Sequence, residues 1–144
     1  MEKKIIDLAK EKLTEGGYTC VLTDGKDFYC SELRGEKPLV RFIDRKSVPC
    51  GLYAADKVVG KATAYLYVIL QIRALYAFVI SEPALSVLDA YGIHVSYGTL
   101  VPNIINRRGD GICPFEEAVL SSASPEDAYS AILKKMIELN IDID

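Results

Sequence analysis

Apolar residues at Ile5, Ile6, Leu8, Ala9 and Leu13, with charged residues between them, trace the stripe of an amphipathic helix over residues 2–15, and Gly16-Gly17 ends it. Two short runs, Tyr18 to Thr23 and Lys26 to Ser31, flank Asp24-Gly25, a dipeptide that supplies the positive φ angles of a two-residue hairpin turn. Between Arg34 and Gly51 the pattern is mixed: Pro38 can open a short helix through Asp44, although Val40, Phe42 and Ile43 would also suit a strand, and the helix is the reading adopted. From Ala55 to Ile72 the chain is apolar on most sides, which predicts a central helix covered by a sheet, with Asp56 as its N-cap.

Leu75 to Ile80 is a continuous apolar run of strand length, as in a parallel strand buried on both faces. Pro83 suits the first turn of the following helix and Gly92 its C-terminal cap, after which Ile93, Val95 and Tyr97 alternate as a strand. Strand, helix and strand in that order predict a right-handed crossover. A loop through Asp110, a short helix over Pro114 to Leu120 and a last helix from Ser124 to about Leu139 complete the order, with Ser124 and Asp127 approximating a capping box. The expectation is one α/β domain spanning residues 1–144, its mixed sheet carrying an N-terminal β-hairpin.

Composition narrows the classes. At 144 residues and 50% apolar content the chain has enough material for a buried core. The net charge is −3 and no stretch is dense in Lys or Arg, so nucleic-acid binding is disfavoured; Arg107-Arg108 alone reads as a solvated pair in a loop. The start, Met1-Glu2-Lys3-Lys4-Ile5-Ile6-Asp7, lacks the apolar core of about 7–15 residues that marks a signal peptide. The most hydrophobic region, Ala62 to Ile80, is broken by Gln71 and Arg73 and falls short of the ~20 apolar residues of a membrane span. Cys20, Cys30, Cys50 and Cys113 form no C-x-x-C pair, as in a reducing cytoplasm; Cys20 and Cys30 flank the hairpin and could face each other, but buried thiols behave as small apolar side chains.

The stretch Phe78-Val79-Ile80-Ser81-Glu82-Pro83-Ala84-Leu85-Ser86-Val87, followed by Gly92-Ile93, resembles the zinc half of a cytidine deaminase, in which an apolar strand runs into Glu-Pro-Cys-x-x-Cys on a helix. Ala84 and Val87 stand at the two cysteine positions. The segments Ala55-Asp56-Lys57-Val58-Val59-Gly60-Lys61-Ala62, Val79 to Leu85, and Val101-Pro102-Asn103-Ile104-Ile105-Asn106-Arg107 through Cys113-Pro114 together resemble the DUF1893 family, grouped with the deaminase-like folds; the likeness covers roughly residues 15 to 121. That resemblance implies a three-layer α/β/α sandwich and no established activity. Deaminases hold zinc with a His or Cys and two Cys, and a nearby Glu shuttles protons. The place for His-x-Glu falls on Gly60-Lys61-Ala62-Thr63, which has neither, so neither a metal nor another cofactor is expected, and zinc-dependent deamination is not.

Open α/β sheets bind ligands beyond the carboxyl ends of strands, where helix starts present free N–H groups. The predicted rim joins Asp56, Lys57, Gly60 and Lys61 to Ser81, Glu82 and Pro83, with Asn106 serving either a ligand or its own loop. Lys57 and Lys61, read as one helix face, would oppose the macrodipole, and an anion between them would offset that cost. Cys113 stands at a helix start, where the dipole lowers thiol pKa, and is a candidate nucleophile, but no histidine is placed in sequence to serve it and a structural role is the usual reading; Glu116 and Glu117 read as first-turn acids. His94, the only histidine, lacks ligand-spaced companions and reads as a structural hydrogen-bonder. Three functions remain: a zinc-free domain binding a small anionic, nucleotide-like ligand without chemistry; a metal-independent enzyme using Cys113 or Lys61; or a protein-interaction or oligomerisation module, such as a homo-oligomer, for which Tyr65, Tyr67 and Tyr76 could line an interface if they are not simply buried.

Overall fold

A computed structural model of the chain describes residues 2–106 and 108–143, so the second half of the Arg107-Arg108 pair is described and the first lies outside. Helix α1 (Glu2–Gly16) leads into strands β1 (Cys20–Thr23) and β2 (Phe28–Ser31), helix α2 (Lys37–Arg45), strand β3 (Tyr53–Val59) and helix α3 (Lys61–Ile69). Strand β4 (Ala74–Ser81), helix α4 (Glu82–Ala90), strand β5 (His94–Val101) and helices α5 (Pro114–Ala118) and α6 (Pro125–Glu138) follow. The five strands form one mixed sheet in the order β2-β1-β3-β4-β5. Strand β1 is antiparallel to both β2 and β3, whereas β3, β4 and β5 run parallel.

Successive strand residues point to opposite faces, and the sheet uses both. Val21 and Ala55, partners across β1 and β3, bury against Ala9 and Leu13 of α1. Their neighbours Leu22 and Ala54 enter the larger core with Leu66 and Tyr67 of α3, Leu88 of α4 and Ile132 of α6. Helix α1 therefore covers one face, and α3, packed between α2, α4 and α6, covers the other. The same alternation separates the hairpin cysteines: Cys20 lies in the larger core, Cys30 packs on the α1 side and pairs in register with Val21, and all four cysteines are free. No helix among the described residues is long and apolar enough to cross a membrane.

Two local predictions need correction. The hairpin forms, but Asp24 to Asp27 make a longer loop in which Asp24 Oδ1 accepts from the Lys26 and Asp27 N–H groups, both at 2.8 Å, while Thr23 Oγ1 accepts from Gly25 N at 2.9 Å. Side-chain acceptors here replace the backbone closure of a two-residue turn. The larger correction concerns Ala55 to Ile72, which is strand β3, a break at Gly60 and helix α3 rather than one helix. A central strand buried on both faces shows no period-2 alternation, so its apolar residues merged with those of the helix behind it. Asp56 is consequently a strand residue, and the N-cap position of α3 is Gly60.

The other elements follow their sequence signals. Pro38 sits in the first turn of α2, and Ser124 Oγ accepts from Asp127 N at 3.1 Å at the start of α6. Gly92 follows α4 with φ +74°, a left-handed conformation that glycine adopts freely. Tyr65 and Tyr67 are buried and Tyr76 is half-buried, edge-on to Phe78. His94 lies exposed at the start of β5, with Nδ1 3.0 Å from Oε2 of Glu2 in α1.

Candidate functional site

Helix α3 begins at the carboxyl end of β3 without a side-chain cap of its own, because Gly60 has none to offer. Its first N–H groups are met by a residue far along the chain. Glu116, in α5, accepts from Lys61 N through Oε1 at 2.7 Å and from Ala62 N through Oε2 at 2.9 Å. A carboxylate at a helix start is favoured both by these otherwise unpaired donors and by the positive end of the macrodipole. Gly60 makes room for it: a Cβ there would lie 2.5 Å from Glu116 Oε1. Its φ of −100° is open to any residue, so the requirement is for space alone. The anion that the start of α3 called for is thus supplied by the protein itself.

Beside this cap lies a cleft of about 250 Å³. Glu36, in the turn before α2, and Asp56, in β3, lie deep in its wall, with Thr63 of α3 and Cys113 at the start of α5. Arg34 and Lys57, both exposed, stand at its rim. Glu36 Oε2 accepts from the Thr63 hydroxyl at 3.0 Å; Asp56 Oδ2 accepts from the Tyr67 hydroxyl at 2.6 Å and its Oδ1 from Val58 N at 3.2 Å. Burial pushes both carboxyls up from their ordinary values to about 7, against the opposing pull of those hydrogen bonds. Each group can therefore present either a proton or a lone pair to a molecule in the cleft near neutral pH.

The predicted rim divides. Asp56, Lys57, Gly60 and Cys113 line the cleft, whereas Lys61 does not. One extended step through Gly60 turns the Lys61 side chain the other way, so that its Nζ donates to Leu120 O at 3.2 Å and lies 5.9 Å from the centre of the Tyr65 ring, in a shallow hollow shared with Pro83. Lys57 and Lys61 share no helix face, because Lys57 belongs to β3. Ser81 is fully buried and caps α4, its Oγ accepting from Ala84 N at 3.2 Å; Glu82 is exposed beside it, and neither lines the cleft. Asn106 closes its own loop, accepting from Gly109 N at 2.8 Å and donating to Asp110 Oδ1 at 2.9 Å.

Sequence reasoning missed Glu36, Thr63 and Arg34, and read Glu116 only as a first-turn acid. Glu36 precedes Pro38 in a charged turn, where an acid gives no sign of being buried. Glu116 is the acid of α5 that turns inward, and only its partner 55 residues earlier distinguishes it from exposed Glu117. Ala84 and Val87, at the positions where a deaminase holds zinc, are buried apolar side chains of the core. No three His, Cys, Asp or Glu side chains among the described residues are grouped as a metal ion would require.

Cys113 is a poor nucleophile in this setting. Burial raises its thiol pKa, Glu36 and Glu116 raise it further, and hydrogen bonds from the Phe115 and Glu116 backbone offset this only in part. The carboxyl-rich surroundings outweigh the lowering expected of a helix start. Iodoacetamide at pH 7 is expected to alkylate exposed Cys50 well before Cys113, as followed by mass spectrometry of tryptic peptides; faster labelling of Cys113 would contradict this assignment.

A mixed α/β sheet with helices on both faces, and a carboxyl-walled cleft where the first parallel strand meets its helix, define the class of protein. The chain belongs to the DUF1893 family: the family profile named for TM1506, a domain of unknown function, matches residues 8–136. The crystal structure of a DUF1893 family protein, TM1506, from Thermotoga maritima at 2.70 Å resolution is similar to it, with 30% identity and a TM-score of 0.86 over 94% of this chain and 92% of that one. No curated protein matches.

Proposed function

We propose that this chain is a single, cytoplasmic, deaminase-like domain that binds a small molecule without zinc and without turnover. The ligand's hydrogen-bonding edge would lie against Glu36 and Asp56, and a negatively charged part would meet Arg34 and Lys57. The observation that carries this reading is the pair of buried carboxyls in the wall of an open cleft. Burying such groups is costly, and the sequence places both where a solute can reach them. A deaminase-like origin is supported by the run from β4 through Glu82-Pro83 into α4 and on through Gly92-Ile93 to β5, the order that the resemblance implies. The raised Cys113 thiol speaks for binding over covalent chemistry. Four free cysteines suit a reducing compartment.

A cleft of about 250 Å³ admits a heterocycle or a fragment of similar size, with any phosphate or carboxylate left at the mouth. The test is calorimetry and thermal shift with pyrimidine and purine bases, their nucleosides and their 5′-monophosphates, on the full chain and on the double variant Arg34→Ala/Lys57→Ala. Saturable binding is expected from at least one base, and phosphorylation should tighten it in the native chain but not in the double variant. At a ligand concentration of about 100 Kd the native state gains roughly 2.7 kcal/mol, enough to register as a clear rise in Tm. If none of these compounds stabilises the protein, or if the double variant leaves phosphate discrimination intact, the reading fails.

A further inference from the structure

Strand β5 closes one side of the sheet, pairing with β4 alone, so its outer row of N–H and C=O groups meets no other strand among the described residues. An unpaired edge is a template for another chain, and proteins ordinarily blunt it with short length, charge, proline or a bulge. The opposite edge is blunted. Strand β2 has only four residues, and Lys26, Asp27 and Glu32 flank it. Strand β5 has none of these devices: its eight residues, His94-Val95-Ser96-Tyr97-Gly98-Thr99-Leu100-Val101, include no Asp, Glu, Lys, Arg or Pro. Six of the eight are exposed, with Tyr97 at 41% and Leu100 at 39%, and Tyr91 just ahead of the strand is exposed as well.

We infer that β5 is the interface of a homodimer, in which a second copy of β5 pairs with it antiparallel across a two-fold axis and the two sheets become one. Three features favour a second copy over a foreign strand. An antiparallel edge turned about a two-fold is self-complementary, and two-fold dimers are the commonest closed assemblies. Without Lys, Arg, Asp or Glu in the strand, no permanent like charges meet when it is set against itself. The one side chain of β5 that can carry a positive charge, His94, lies at the strand's first position and is engaged by Glu2 of its own α1. Pairing would also cover Tyr97 and Leu100 and leave the cleft beside Glu36 and Asp56, at the β1 and β3 side of the sheet, open.

The test is sedimentation equilibrium over a concentration series, together with amide hydrogen exchange, on the native chain, Tyr97→Lys and Thr99→Lys. Both substitutions change exposed side chains, and circular dichroism with thermal unfolding checks that the variants fold. The native chain is expected to sediment as a dimer with protected amides along β5, and each lysine variant as a folded monomer with faster exchange confined to that strand. A native monomer at the highest soluble concentration would overturn the proposal. So would a dimer that survives both substitutions, or one whose outer β5 amides exchange freely, since it would be held through another face.

Discussion

Replacing Glu116 by alanine is expected to lower the unfolding midpoint by about 5–15 °C, from a loss of roughly 2–4 kcal/mol. The carboxylate satisfies two backbone donors at the start of the central helix and places negative charge at the positive end of its dipole. Alanine leaves the Lys61 and Ala62 N–H groups without an acceptor in a region where Ala62 is fully buried. Gly60→Ala should produce much of the same loss without touching the carboxylate, because its Cβ would occupy the space that the Glu116 side chain fills. The two substitutions share one mechanism, so they should not add. In a Glu116→Ala background, Gly60→Ala should cost little. Urea unfolding of the two single variants and the double variant measures the coupling, and additive losses would mean that cap and glycine act independently.

The second large effect is a dependence of stability on pH. Glu36 and Asp56 hold their protons up to about 7 in the folded chain, against ordinary values of 4.5 and 3.8. Over the intervening range the native state binds more protons than the unfolded state, so stability falls as pH rises. The contribution of the two groups is fully present below their unfolded pKa values, is lost progressively as pH rises through about 7, and levels off above that, with a total of at most about 8 kcal/mol. Glu36→Gln removes one of them while keeping an oxygen to accept from Thr63. This variant should match the native chain at pH 5 and exceed it by ~1–3 kcal/mol at pH 8. Urea titrations at several pH values decide it. Parallel profiles for the two proteins, or a native chain that becomes more stable from pH 5 to pH 8, would show that the carboxyls are not held as described.

Much of the fold was legible because its signals are local. The stripe of α1, the proline of α2, the apolar run of β4, the Ser124 cap and the glycine after α4 each act within a few residues. Strand β3 was hidden because a central strand and the helix that follows it are apolar in the same way, and only Gly60 separates them. That single misreading moved Asp56 from a helix cap to the wall of the cleft and set Lys57 apart from Lys61. The site was half legible for a different reason. Asp56, Lys57, Gly60 and Cys113 stand in segments whose position could be inferred from chain order, whereas Glu36 and Glu116 owe their roles to partners 27 and 55 residues away. Spacing along the chain carries no trace of such pairings. An acid that will be buried looks the same as one that will be solvated.

The distance between Glu116 and the helix that it caps bears on how the molecule is made. Once Val101 has left the ribosome, all five strands of the sheet are available, yet the central helix still begins with two bare amides. Its acceptor emerges only with α5, so a nascent chain that has extruded the complete sheet still lacks both bonds from Glu116 to the start of that helix.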